Sequence, residues 1–305
     1  MSLLKRVSIP FAGVALGFAA LGNLLQSYSE VLRGICGVLS LVFIVLLVGK
    51  LVVDAAGVRK ALDNPIQASV AGTFPMALML LSTYIAPLVH GFALALWVCA
   101  VALHLVLIVW FSLKFLRKLE LKTVFASYYI VYVGIVVASV TAPAFGMEAF
   151  GNIAFWFGLV CLVALLVLVT VRYVRLPEVP EPARPVFCIY AAPTSLCVAG
   201  YVQSGQPKSL PFALALLAIA TIIYVISLVR AIPLLGAKFF PSWASFTFPF
   251  VISAIASKQV MAMAAKMGAP LPWLGPVVLV ETVIAVVLCV YVYVRFCASL
   301  ARKEA

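Results

Sequence analysis

The chain has 305 residues, of which 66% are hydrophobic and only 10% are charged, and its mean hydropathy is +1.23. Because soluble domains carry about 25% charged residues, the composition excludes a soluble globular protein and indicates an integral membrane protein. A net charge of +12 would suggest a nucleic-acid partner in a soluble protein, but the positions of the basic residues favour membrane orientation, and we expect no nucleic acid.

Ten segments of the sequence are long and apolar enough to cross a bilayer, which takes about 20 residues. Their predicted bounds are 8–27, 31–53, 66–88, 91–114, 122–142, 148–171, 186–204, 210–230, 240–260 and 273–296. The longest loop, Tyr173–Pro185, is a Pro/Glu/Arg linker. We therefore expect one transmembrane domain over residues 1–305, without a separate soluble domain.

When the chain is threaded through the ten predicted spans, most lysine and arginine residues fall on one side of the membrane. One side carries Lys5, Arg6, Lys50, Arg59, Lys60, Lys114, Arg117, Lys118, Lys122, Arg172, Arg175, Arg184, Arg230, Lys238, Arg295, Arg302 and Lys303. The other side carries Arg33, Lys208, Lys258 and Lys266. Basic loops stay in the cytoplasm, so we expect both termini there and a location in a bacterial inner membrane.

The spans fall into two compositional classes that alternate along the chain. The odd-numbered spans contain 23 Ser, Thr, Asn or Gln residues and the even-numbered spans contain 7. Polar residues of membrane helices face the bundle interior or a cavity. The sequence therefore predicts an all-α fold of five helical hairpins, with odd helices in an inner pore layer and even helices in an outer layer.

Prolines inside the inner spans predict kinks at Pro75, Pro193 and Pro249. A proline removes a backbone hydrogen bond, which is tolerated at membrane depth beside other helices or a water-filled cavity. Phe248 directly precedes Pro249, so we expect its ring to project into the pore and close it by steric block and dewetting. Its neighbours Phe246 and Phe250, and Phe74 before Pro75, are further candidates.

The side chains of the inner spans favour an anion as the solute. These spans contain no Asp or Glu, whereas cation pathways and proton relays usually carry carboxylates. Hydroxyl groups can donate hydrogen bonds to an anion, although in membrane helices they also commonly bond back to their own backbone. The expected pore-lining hydroxyls are those of Ser69, Thr73, Thr141, Thr194, Ser195, Thr247 and Ser253.

Two charged residues stand out within the last two spans. Lys258 is expected towards the outer mouth, where it either attracts anions or reaches the membrane surface as a snorkelling side chain. Glu281 is an acid well inside a helix. We expect it to pair with a basic or hydroxyl group, with Lys258 and Arg33 as candidates, and a proton-coupling role is the alternative.

The sequence gives no reason to expect a cofactor, a metal site or a catalytic site. The seven cysteines form no Cys-x-x-Cys motif, and His90 and His104 stand in no ligand spacing. A membrane-embedded enzyme would need clustered His, Asp or Glu residues at membrane depth, and this alternative is therefore disfavoured.

Two motifs carry a resemblance to a known family. The segment Asn64–Met76, which ends in Gly-Thr-Phe-Pro-Met, and the segment Ser245–Phe250, which reads Ser-Phe-Thr-Phe-Pro-Phe, resemble the tellurite-resistance/dicarboxylate transporter family. That family includes bacterial tellurite-resistance proteins, yeast malate and sulfite transporters and plant slow anion channels. The resemblance implies a homotrimer in which each protomer has a central pore occluded by a phenylalanine of the ninth helix, a position that Phe248 matches.

We therefore expect a gated anion channel or facilitative exporter in the lipid bilayer. Candidate solutes are C4-dicarboxylates, sulfite, tellurite, nitrate and chloride. The alternative is a proton-coupled C4-dicarboxylate secondary transporter, for which Glu281 is the candidate titrating group.

Overall fold

The computed structural model describes residues 3–301, and every regular element in that range is a helix. Eight helical stretches are long and apolar enough to cross a membrane, and two shorter apolar helices stand in the first and fifth positions. Together they fill the ten positions expected from the sequence. Arg302 and Lys303, two of the basic residues that favour cytoplasmic termini, lie outside the described residues.

The α-helices alternate with a few short segments of other helical types. In chain order the α-helices are α1 (Leu3–Arg6), α2 (Phe11–Leu25), α3 (Glu30–Val53), α4 (Ala55–Ala61), α5 (Pro65–Val70), α6 (Thr73–Ile85), α7 (His90–Phe111), α8 (Tyr128–Tyr132), α9 (Val136–Thr141), α10 (Glu148–Arg175), α11 (Ala191–Gln203), α12 (Leu210–Leu235), α13 (Phe248–Lys266) and α14 (Leu274–Ala301). The 3₁₀ helices are Leu121–Thr123, Ala142–Phe145, Glu181–Tyr190 and Pro241–Phe246, and a π-helical turn at Ser112–Leu116 follows α7.

Burial separates the spans into two layers. In the even spans, α3, α7, α10, α12 and α14, between 28% and 39% of the most apolar window is buried. In the third, seventh and ninth spans the buried share is 67% to 89%, and α2 is buried continuously from Phe11 to Gly22. The odd spans therefore form the inner layer and the even spans the outer one, as the sequence predicts.

Side-chain caps fix where several of these helices begin. The Ser29 hydroxyl accepts a hydrogen bond from the Leu32 N–H at the start of α3, and the Ser209 hydroxyl accepts one from Phe212 at the start of α12. Asn64 caps α5 in the same way. These oxygens satisfy backbone donors that the first turn leaves unpaired, which sets the register of the apolar segments that follow.

The inner spans are interrupted, and three interruptions are followed at once by a proline. Pro75, Pro193 and Pro249 stand in the first turns of α6, α11 and α13. The first N–H groups of a helix have no helical partner, so proline costs little there. Its ring would clash with a helical carbonyl four residues earlier, so each break precedes its proline and does not kink a continuous helix at it.

The fifth span differs from the predicted continuous helix 122–142. It begins at Tyr128, stops after Tyr132 and resumes at Val136, with Gly134 in the gap. A Cβ atom at Gly134 would lie 2.0 Å from the Ile130 carbonyl oxygen. The buried His104 on α7 donates from Nε2 to the Val131 carbonyl oxygen at 3.0 Å, so a polar group of the outer layer satisfies a carbonyl beside this break.

Candidate functional site: two cavities on the axis of the inner helices

The helix of the ninth span is interrupted at Thr247. The 3₁₀ helix Pro241–Phe246 ends there and α13 begins, and the φ of −101° and ψ of −92° at Thr247 belong to neither helix. The Thr247 hydroxyl lies 2.7 Å from the Ala244 carbonyl oxygen and 3.2 Å from that of Gly13 on α2. The Thr247 hydroxyl thus pairs with a carbonyl of the preceding turn and also contacts the first span.

A cavity of about 380 Å³ lies on the side of the molecule that carries the loops 54–64 and 175–185. We call it the basic-side cavity, after the basic residues of these loops. All five inner spans line it, through Gly13, Thr73, Gly134, Pro193 and Pro249, among others. The first turns of α6, α11 and α13 therefore border a common space.

A second cavity, of about 340 Å³, lies towards the opposite ends of the inner helices. Its polar lining is dominated by carboxamides, so we call it the amide-lined cavity. The polar residues that line it are Asn23, Gln26, Arg33, Thr83, Thr141, Gln203 and Gln259. This composition offers many hydrogen-bond donors, and the lining contains no carboxylate among the described residues.

Phe248 and Leu196 line both cavities. Phe248 is 6% exposed and Leu196 is 2% exposed, so two buried apolar side chains form part of the wall of both cavities. The other candidate phenylalanines lie elsewhere. Phe246 packs against Trp243 and Phe250 against Tyr224, with ring centroids 5.7 Å and 5.5 Å apart, whereas Phe74 borders an apolar groove between α3 and α7.

Most of the hydroxyls expected along the pore serve the backbone instead. Thr73 lines the basic-side cavity and Thr141 the amide-lined cavity. The remaining expected residues, Ser69, Thr194, Ser195, Thr247 and Ser253, line neither. The hydroxyl of Ser69 donates to the Pro65 carbonyl at 2.7 Å, and those of Ser195 and Ser253 lie 2.9 Å apart. Backbone bonding does not decide which of these hydroxyls line a cavity, since those of Thr73 and Thr141 also donate to backbone carbonyls, at 2.7 Å and 2.8 Å. The Thr194 hydroxyl, by contrast, has no hydrogen-bond partner among the described residues.

The expected ion pair of Glu281 with Lys258 or Arg33 does not form among the described residues. Lys258 donates to the Leu24 carbonyl oxygen at 2.8 Å and to Ser27, so its ammonium group caps the end of α2. Glu281 is 4% exposed and faces Ser257 of α13. Residues 257 and 258 point about 100° apart on a helix. Lys258 is therefore on a different face of α13 from Ser257, which faces Glu281 of α14.

Both aspartates of the chain lie near the basic-side loops and are paired with lysines. The Lys114 ammonium lies 2.6 Å from Asp63 Oδ1, and its hydrogen bond holds the pKa of that carboxyl below its ordinary value. Lys50, 3.0 Å from Asp54, lowers the pKa of Asp54 in the same way. Within residues 3–301, no group of three or more His, Cys, Asp or Glu could hold a metal ion.

Several residues of the site are not among those expected from the sequence: Leu196, Arg33 and the carboxamides Asn23, Gln26, Gln203 and Gln259. Leu196 follows Pro193 by three residues, and no sequence signal distinguishes this leucine from the many others. The sequence suggests Arg33 only as a partner of Glu281, because Arg33 belongs to an outer span. Arg33 lies in the first turn of α3, close to the amide-rich end of α2, and this position is a sequence signal that could have placed it at the amide-lined cavity.

Comparison with known proteins agrees with this architecture. A family model described as voltage-dependent anion channel, SLAC1, matches residues 6–296. No curated protein matches the chain. The match covers all ten spans, both cavities and the residues between them, and it agrees with the resemblance carried by Asn64–Met76 and Ser245–Phe250. The chain therefore belongs to the voltage-dependent anion channel family, which is also the tellurite-resistance/dicarboxylate transporter family, and it is a membrane protein of anion transport.

Proposed function

We propose that this protein conducts small anions along the axis of its inner helices and that Phe248, together with Leu196, closes the path. The observation that carries this proposal is that the same two side chains wall both cavities. An apolar constriction blocks ions by its size and by excluding water. Removing the larger side chain joins the two cavities.

The chemistry of the basic-side cavity supports an anion as the solute. The first turns of α6, α11 and α13 border this cavity through Thr73, Pro193 and Pro249. A helix N-terminus carries the positive end of the helix dipole, which favours negative charge. The described residues that line this cavity include no carboxylate.

A gated channel or facilitative exporter fits this arrangement better than a proton-coupled carrier. Glu281, the candidate coupling group, lines neither cavity and lies behind α13, between α13 and the outer layer. Candidate solutes remain C4-dicarboxylates, sulfite, tellurite, nitrate and chloride.

The assembly and orientation are part of the same proposal. The family resemblance supports a homotrimer of single-domain protomers, each with its own path, and native mass spectrometry of the detergent-solubilised protein would count the chains. The basic loops support cytoplasmic termini in a bacterial inner membrane. The basic-side cavity then opens towards the cytoplasm.

The test of the path is anion flux through Phe248→Ala in proteoliposomes. We expect chloride and nitrate efflux to rise severalfold over the wild-type chain because the constriction is removed. Phe74→Ala is the matched control, since Phe74 also precedes a proline but borders the outer groove. Wild-type flux through a folded Phe248→Ala protein, or an equal rise in Phe74→Ala, would reject the proposed gate.

A further inference from the structure

Arg33 is the one charged side chain among the described residues that line these two cavities. It belongs to α3 in the outer layer, yet its side chain reaches inward and is only 14% exposed. Its guanidinium donates from Nη2 to the Thr83 carbonyl oxygen at 3.2 Å. Its Nε is buried and has no hydrogen-bond partner among the described residues, so a ligand in the cavity would contact the terminal nitrogens.

A tyrosine holds Arg33 in this position. The guanidinium carbon lies 4.6 Å from the ring centroid of Tyr84, in cation–π geometry, and the Tyr84 hydroxyl donates to the Ala19 carbonyl oxygen at 2.6 Å. The ring fits because two glycines face it. A Cβ atom at Gly22 would lie 2.2 Å from the Tyr84 hydroxyl oxygen, and one at Gly37 would lie 2.9 Å from the ring.

The charge of Arg33 is only partly balanced by a neighbouring acid. Arg33 Nη1 lies 3.5 Å from Glu30 Oε2, and the Glu30 side chain is 68% exposed. Exposed pairs at such distances contribute little. Glu30 also accepts a hydrogen bond from Gln26 at 2.9 Å, and it does not line the cavity. The cavity side of the guanidinium instead faces neutral groups of α2, α6, α9, α11 and α13: Asn23, Thr83, Thr141, Gln203 and Gln259.

We propose that the amide-lined cavity is a binding site for oxyanions, such as carboxylates or sulfite, and that Arg33 determines its specificity. A guanidinium presents a planar fork of N–H donors that matches two oxygens of one oxyanion. A halide has no second oxygen to occupy the fork, so the site prefers oxyanions to chloride. The inference deepens the proposed conduction pathway, on which it rests, by naming the class of anion that binds in the amide-lined cavity.

The test measures binding in the absence of transport. A ligand that binds only the folded protein stabilises it in proportion to the logarithm of ligand concentration over Kd, which raises its melting temperature. For the purified wild-type protein in detergent, we expect sulfite and acetate to raise the melting temperature more than chloride does at equal ionic strength. Arg33→Gln is expected to raise the Kd for sulfite by about tenfold or more, because a charge-assisted hydrogen bond is lost.

Two variants separate the guanidinium from charge alone. Arg33→Lys keeps the charge but loses the fork, and we expect it to bind chloride like the wild type while losing the preference for sulfite. Lys258→Gln removes a cation near the same end of the bundle that lines neither cavity, and its sulfite binding should be unchanged. Wild-type sulfite preference in Arg33→Lys or Arg33→Gln overturns the proposal, as does an equal loss in Lys258→Gln.

The binding site and the proposed gate can fail separately. If Phe248→Ala fails to raise flux while Arg33→Gln abolishes sulfite binding, the gate is rejected and the binding site stands. If Phe248→Ala raises flux while the wild-type protein shows no preference for sulfite over chloride, the gate stands and the binding site is rejected.

Discussion

Phe248 meets three separate constraints. It begins α13 directly after the break at Thr247, its ring walls both cavities, and its backbone nitrogen lies so close to α2 that a Cβ atom at Gly17 would be 3.1 Å away. Phe246 and Phe250, two residues to either side, are fully buried against other aromatic rings. The position at which α13 starts therefore directs the Phe248 ring towards the two cavities.

Glu281 provides a prediction about coupling at the residue scale. Because its carboxyl group lies behind α13 and lines neither cavity, we expect Glu281→Gln to keep both anion flux and its response to an imposed pH gradient. Uptake of succinate into proteoliposomes with an acidic exterior measures both. Loss of gradient-driven accumulation in Glu281→Gln, with flux down a succinate gradient preserved, would instead establish the proton-coupled carrier.

The inner layer is built from spans that each consist of two shorter helical segments separated by a break, except the first span, which is the single helix α2. The sequence predicts kinks at Pro75, Pro193 and Pro249, and the structure instead begins a new helix just before each of these prolines. The sequence does not predict the fifth-span break at Gly134, which has no proline and depends on His104 of a different span reaching the Val131 carbonyl. A contact between two spans leaves no periodic signal within either of them.

The packing of α2 against the ninth span gives a prediction at the element scale. A methyl group at Gly17 would lie 2.5 Å from Thr247 Cβ, so Gly17→Ala should push the ninth span away from α2. We expect a loss of stability of about 1–3 kcal/mol, the usual cost of overpacking, measured by thermal unfolding in detergent. Gly34→Ala is the control, because a Cβ there meets nothing within 4 Å.

Equal stability of the Gly17→Ala and Gly34→Ala proteins would show that α2 and the ninth span are not packed as closely as described. The small residues of α2 would then serve only general helix packing, as small residues do in many membrane helices.

At the scale of the whole molecule, an outer layer of continuous apolar helices surrounds an inner layer of interrupted ones. Composition predicts this arrangement because lipid-facing helices cannot carry unpaired polar groups. Composition could not predict which side chains line the two cavities. Ser195 and Ser253, which composition places in the inner layer, turn to each other, while Arg33 enters the amide-lined cavity from the outer layer. Side-chain direction depends on nearby carbonyls and on neighbouring spans, not on composition.

The central claim is that the two cavities are one path interrupted at Phe248. Its most direct test is the reactivity of a cysteine at Gln259, in the amide-lined cavity, in a chain whose seven native cysteines are replaced. With Phe248 present, a membrane-impermeant thiol reagent should label Gln259→Cys from the amide-lined side only, and with Phe248→Ala it should label from both sides. Labelling from both sides in the presence of Phe248, or from one side in its absence, would contradict the account.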